Sequence, residues 1–240
     1  KGQRLIVCNH INDYIFHNFV ITNPTLMLLY LSIFTILISV VLLWYNWKSN
    51  KNAIYLSLVF ILTSLFGIAH YFMVSGDSRF WLAVFYNNFA PFMFLMGPFL
   101  FFYVRNTLLD REYLSKKDWL HFIPTTIAVI GTLPYHFQSF DKKLQIADRI
   151  IKNLNSIRDI DVNLFYNVGE SFALRTIAFF LYLMYCIYLL WKANPEEINE
   201  IQIPKKQFLI TYRWLVILLT SLGFISISFT ILSLNAAVSV

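Results

Sequence analysis

Charge is what this chain has least of. Asp, Glu, Lys and Arg together make up 13% of its 240 residues, against 58% hydrophobic and 18% aromatic. A soluble domain of this size needs a polar shell, and here the charges are gathered into short connecting segments. That distribution argues against a greasy soluble bundle and for an all-α, polytopic membrane helix bundle. Cysteine is nearly absent as well. Cys8 precedes the first apolar stretch and Cys186 lies within the fifth, so a disulfide between them is not expected and Cys186 reads as a small apolar side chain.

Catalytic signatures are also missing. There is no HExxH helix, no Gly-x-Ser-x-Gly elbow, no GxxxxGKS loop and no pair of intramembrane aspartates. His10, His17, His70, His121 and His136 are scattered without ligand spacing. Glu196, Glu197 and Glu200 sit beside Pro195 and Pro204, where a solvated charge cluster is the natural reading. The expectation is no enzyme, no metal site and no cofactor.

What the chain does have is six apolar stretches. A helix crosses the hydrocarbon layer with roughly 20 apolar residues, because the layer is about 30 Å thick and each residue rises about 1.5 Å. The stretches are Leu26 to Trp44, Ala53 to Val74, Phe80 to Val104, Trp119 to Phe137, Ser171 to Trp191, and Phe208 to about Ala237. The third and sixth are long, which predicts tilt or an interfacial extension. The fourth is the weakest, interrupted by Pro124, Gly131 and Pro134. Such breakers survive in lipid where neighbouring helices satisfy the freed backbone groups, so a packed bundle is expected.

Lysine and arginine in short loops set the direction of insertion. The first connection carries Lys48 and Lys51, the third Arg105, Arg111, Lys116 and Lys117, and the fifth Lys192, Lys205 and Lys206. The second offers only Arg79. The first, third and fifth connections are therefore predicted to face the cytoplasm, with the N-terminus outside. The fourth connection is basic too, but it is long and carries Asp141, Asp148, Asp159, Asp161 and Glu170, so it weighs less. Trp44, Trp47, Trp119, Trp191 and Trp214 fall at the predicted inner interface, and Trp81, Tyr71 and Tyr135 at the outer.

The chain starts at Lys1, its first methionine is Met27, and residues 1–25 lack the order of a cleavable signal. They read as an outer tail or, preferably, as translation from upstream of the true start. At the other end the sixth stretch has no polar residues after it, and the chain reads as cut at both ends.

Polar groups inside spans are functional candidates, since lipid penalises them. His70, Asn87, Asn88 and Arg175, with Glu170 at the mouth of the fifth stretch, fall at similar depths from the outer face and form a candidate ligand pocket. The competing reading has the asparagines and histidine joining helices while Arg175 reaches the headgroups. Pro91, Gly97 and Pro98 mark a candidate hinge in the third stretch, where each proline removes a donor and crowds the carbonyl four residues earlier. Arg213 reads as an anchor. In the fourth connection Leu144, Ala147, Ile150, Ile151, Leu154 and Ile157 recur at three and four residue intervals, predicting an amphipathic helix that caps the bundle, lies on the outer leaflet or receives a partner.

One ordered string goes beyond hydropathy. Gly97-Pro98-Phe99-Leu100-Phe101-Phe102-Tyr103-Val104-Arg105 is followed by Leu114-Ser115-Lys116-Lys117-Asp118-Trp119-Leu120-His121-Phe122-Ile123-Pro124, and later by Arg213-Trp214-Leu215. By residue chemistry alone, Ser115 and Asp118 can cap a helix start while the lysines hold the loop at the inner face. The whole string resembles the membrane half of the AraC-type transcriptional regulators of Bacteroidota, in which a "GPLLYFYVRSL" helix end leads to a "KKDLLHFIP" helix start and a later "RWL" opens the next span. The likeness runs in order from about Met27 to the end of the chain.

The resemblance implies a seven-span sensor followed by a cytoplasmic helix-turn-helix pair, here absent with the last span. Its expected partners are the lipid bilayer, an outer-side signal, a second copy as a homodimer, and DNA only through the absent domain. The net charge of +6 belongs to membrane loops and is not a nucleic-acid footprint. A small carrier or channel is the competing class, predicting an internal repeat and a mid-membrane site. The sensor half of a histidine kinase differs only in the domain attached after residue 240.

Overall fold

The computed structural model describes residues 24–75, 78–110, 113–193 and 205–238. The leader to residue 23, Arg111 and the Glu196–Glu200 cluster lie outside the described residues. Every described element is helical: α1 (Pro24–Asn46), α2 (Lys51–Ser75), α3 (Arg79–Phe85), a 3-10 segment (Pro91–Leu95) running into α4 (Met96–Leu109), a second 3-10 segment (Lys116–Phe122) running into α5 (Ile123–His136), α6 (Phe140–Lys152), a third 3-10 segment (Leu154–Asp159), α7 (Val168–Lys192) and α8 (Lys205–Val238).

Five of these stretches are long and apolar enough to cross a membrane: Leu26–Asn46, Lys51–Ser75, Pro91–Leu109, Val168–Lys192 and Gln207–Ile227. They leave outward faces that water would not tolerate. Leu37 and Val41 on α1 and Leu181 on α7 are each 60% exposed or more, which fits lipid contact. The fourth stretch predicted from the sequence is not among the five. It is divided between a 3-10 segment and the 14-residue α5, with Pro124 in the first turn of α5 and Pro134 near its end.

The third stretch departs from expectation. In place of one helix over 80–104, α3 stops at Phe85, residues 86–90 turn, and helix resumes at Pro91. Asn87 adopts a left-handed conformation at φ 54°, which Asn tolerates better than most residues. A continuous helix would drive the Pro91 ring into the carbonyl of residue 87; opening a new segment at Pro91 needs no donor there. Asn88 donates to the carbonyls of Ala83 (3.2 Å) and Val84 (2.8 Å), satisfying groups that the end of α3 leaves open. The asparagines predicted to lie two turns deep on a helix therefore make its terminus. α3 takes up the first part of this long stretch, and the segment from Pro91 takes up the rest.

Successive neighbours pack: α1 on α2, α2 on α4, α4 on α7, and α7 on α8. Small residues set the closeness, as lipid offers helices no hydrophobic drive to associate. A Cβ on Gly67 of α2 would collide with the Ser32 hydroxyl of α1. The main core joins α2, α4, α7 and α8 through Val59, Leu100, Phe102, Val104, Leu183, Leu215 and Leu219.

A second core lies at the opposite end, where Leu82, Ala83, Tyr86, Tyr135, Ala147, Ile150, Ile160 and Val168 meet. Ala147 and Ile150, 1% exposed, come from α6. The amphipathic helix predicted in the fourth connection thus spans Phe140–Lys152 and caps the bundle, and the 3-10 segment accounts for the rest of its apolar period. Tyr135 is fully buried against Tyr86, edge to face at 5.9 Å. It belongs to this core and not to an interfacial belt.

Candidate functional site

The described residues flanking the first, third and fifth connections meet at one end of the bundle. Lys51 lies 4.2 Å from the centroid of the Tyr113 ring. A polar cleft of about 370 Å³ between Asn50, Asn52, Thr107, Asp110, Gln207 and Thr211 joins the three there. Lys48, Lys51, Lys116 and Lys117 belong to this basic end.

The string singled out in the sequence assembles beside that cleft. Arg105, near the end of α4, grips Asp118 with both terminal nitrogens, Nη1 to Oδ1 at 2.5 Å and Nη2 to Oδ2 at 2.9 Å. The guanidinium also donates to Asn106 Oδ1 from Nε (3.1 Å) and Nη2 (2.9 Å), and it lies 4.9 Å from the centre of the Phe101 ring. Asp118 Oδ2 accepts the Ser115 backbone N–H at 2.7 Å, fixing the start of the 3-10 segment. With Asp118 4% exposed, the Arg105 hydrogen bonds, helped by the Ser115 N–H, hold its carboxyl down at about 2 against burial.

Three further contacts tie the string to α7 and α8. His121 Nδ1 lies 2.7 Å from the Tyr182 hydroxyl. The Tyr182 ring covers Gly97 so closely that a Cβ there would collide with its Cδ2. Trp214 Nε1 donates to the Tyr103 hydroxyl at 2.8 Å. Pro98 is buried in the first turn of α4, Pro124 opens α5, and Lys116, Lys117 and Arg213 are exposed. Tyr182 and Asn106 are the members that sequence reasoning missed. In an apolar helix that also holds Tyr185 and Tyr188, nothing marks Tyr182 until Gly97 is seen beneath it.

At the opposite end lies a small cavity of about 30 Å³, room for about two water-sized spheres. Three of the five predicted pocket residues line it: His70 from α2, Asn87 from the turn and Arg175 from α7. Tyr86, Phe85 and Phe172 add aromatic walls. Asn87 Nδ2 donates to Asn163 Oδ1 at 2.8 Å, pinning the fourth connection to the break in the third stretch. Arg175 is 9% exposed; its Nε donates to the Ser171 carbonyl at 2.9 Å and its guanidinium stands 4.3 Å from the Phe172 ring centroid.

The other two predicted residues are used elsewhere. The Asn88 amide caps α3 and its oxygen accepts from Lys143 Nζ at 3.4 Å. Glu170 forms a capping box with Asn167, accepting the Asn167 N–H (2.9 Å) while Asn167 Oδ1 accepts that of Glu170 (2.7 Å). Tyr86 and Asn163 line or brace the cavity without having been legible, because neither lies in a periodic pattern. Among the described residues no group of three or more His, Cys, Asp or Glu side chains could hold a metal ion.

The two sites share α7, with Arg175 at one and Tyr182 two turns on at the other, and they share the broken third stretch. Comparison of the chain with protein-family models, with curated proteins and with solved structures finds no match.

Proposed function

We propose that this chain is the membrane-embedded, non-catalytic sensing part of an AraC-type, one-component transcription regulator. It crosses the inner membrane six times, with the fourth crossing made by the stretch from Trp119 to His136, and its basic connections face the cytoplasm. A signal reaching the cavity at His70, Asn87 and Arg175 from outside shifts α7 and the segment after the break. The shift passes through the Arg105–Asp118 junction and α8 to a DNA-binding domain that lies beyond residue 240 after one more crossing.

The observation that carries this reading is the pairwise engagement of the resembling residues. Gly97, Tyr103, Arg105, Asp118, His121 and Trp214 are spread over more than a hundred positions, yet each makes a specific side-chain contact between α4, the 3-10 segment before α5, α7 and α8. Shared hydropathy alone gives no reason for that. The lengths also support the fourth crossing: from Trp119, the rest of the 3-10 segment and the 14-residue α-helix rise together about 29 Å, close to the thickness of the hydrocarbon layer, with Lys116 to Asp118 at its inner margin.

The test is the complete gene product. Its coding sequence after residue 240 is expected to encode a seventh span and a helix-turn-helix pair, and its crosslinked purification to enrich discrete promoters. A stop codon, a kinase core, or a product that brings down no DNA contradicts the proposal. A carrier is the second reading, favoured by one feature: an interrupted helix such as the one broken at residues 86–90 is the element from which carriers build substrate sites. Saturable solute uptake by proteoliposomes holding only these 240 residues would select it.

A further inference from the structure

We propose that the cavity at Arg175 is an anion site, and that its ligand is a compact monoanion, either a small inorganic ion or a terminal carboxylate. This deepens the sensing proposal by giving the signal a charge and rests on that proposal only for the consequence of binding.

Arg175 is the reason. It lies inside an apolar helix, 9% exposed, and among the described residues it takes part in neither the Arg105–Asp118 nor the Lys152–Asp148 ion pair. Its Nε is used by the Ser171 carbonyl and one face by Phe172, and among the described residues its two terminal nitrogens make no hydrogen bond. Arginine keeps its charge in proteins, and a buried charge without a counter-charge is strongly disfavoured, all the more at membrane depth. Glu170, five residues earlier and close in sequence, is engaged at the helix start by Asn167. The counter-charge is therefore expected from outside the chain.

The neighbouring polar groups are also held in reserve. The Tyr86 hydroxyl, on a residue 4% exposed, is buried without a partner, as is Asn87 Oδ1, on a residue 5% exposed. Asn163 Nδ2 is likewise unpartnered. Exchanging nitrogen and oxygen on both amides keeps the Asn87–Asn163 bond and turns the free Asn87 atom into a donor. Arg175, Tyr86 and Asn87 then offer one cation and two neutral donors to a single cavity, the donor set of an oxyanion or halide site. The size suits such a ligand: about 30 Å³ admits a chloride-sized ion or the carboxylate group at the end of a larger molecule.

The test uses the 240-residue chain purified in detergent, with its thermal unfolding midpoint followed while sodium chloride or sodium acetate replaces sodium isethionate at constant ionic strength. A saturable rise in the midpoint with at least one of the two anions is expected. Chloride alone identifies an inorganic ion and acetate a carboxylate-bearing ligand. Arg175→Gln should abolish the rise, and Tyr86→Phe, which keeps the ring and its packing, should weaken the apparent affinity about three- to tenfold for one lost hydrogen bond. Absence of a saturable response in the unaltered chain, or an unchanged response in Tyr86→Phe and in any folded Arg175→Gln, overturns the site. These readouts involve no DNA. A regulator with no anion site and an anion-binding protein with no DNA-binding domain therefore give different results.

Discussion

At the scale of single residues, the junction at the basic end sets the largest energetic stakes. The Arg105 and Asp118 side chains are 13% and 5% exposed, and removing one partner of a buried, doubly hydrogen-bonded pair typically costs about 3–5 kcal/mol, since the other charge is left unmatched. Asp118→Ala should destabilise the chain in detergent by an amount in that range, read as a lowered unfolding midpoint, and Asp118→Asn by less, because an amide still accepts from Arg105 and Ser115. The pH dependence has a defined sign. The carboxyl is held at about 2, below its ordinary 3.8, so the pair's contribution is complete above about pH 4 and is lost as pH falls toward 2. A midpoint that drops between pH 7 and pH 5 in the unaltered chain but not in Asp118→Asn would contradict this assignment. Gly97 makes a steric prediction at the same place. Gly97→Ala forces the Tyr182 ring off its position and should destabilise by about 1–3 kcal/mol, as overpacking generally does. Asp118 and Gly97 were legible in the sequence because a capping pattern and an ordered motif point to them. Tyr182 and Asn106 were not, because their roles exist only once two distant helices touch.

At the scale of elements, the break at residues 86–90 carries the main lesson. Hydropathy reads Phe80 to Val104 as one span because the turn is made of residues that are apolar or merely Asn, with Pro91 looking like a kink inside a helix. The local chemistry of two adjacent asparagines four and three residues before a proline decides otherwise: one takes the left-handed conformation and the other caps the carbonyls behind it. Asn87→Gly should preserve the turn and lose only the bond to Asn163, whereas Asn87→Val should add about 1–2 kcal/mol of backbone penalty at φ 54°. Equal unfolding midpoints for the two variants would show that the turn does not need a left-handed residue. The amphipathic helix in the fourth connection, by contrast, was readable in nearly its full extent. Its period matches α6, and the faces buried at Ala147 and Ile150 are those the spacing selects.

At the scale of the whole molecule, five stretches are long and apolar enough to cross a membrane, and two polar centres stand at opposite ends of the bundle they form. The helical class and the general course of the chain come from hydropathy, because lipid leaves a chain with so few charges little alternative. The fate of the fourth stretch did not, since proline divides it into two pieces that length criteria treat separately. The proposed direction of insertion takes Lys48, Lys51, Lys116, Lys117 and their neighbours to lie on the side where translocation is avoided. Everything proposed for signalling depends on the Arg175 cavity facing outward and the Arg105–Asp118 junction facing the cytoplasm. The most direct measurement is labelling of intact cells by a membrane-impermeant maleimide, using Lys152→Cys in α6 and Lys116→Cys before α5. The two are made in a background with Cys8→Ser, the buried Cys186 being left in place. Lys152→Cys, whose native side chain is 75% exposed, should be labelled from outside, and Lys116→Cys only after the membrane is permeabilised. The reverse pattern would contradict the proposed orientation and the signalling route built on it.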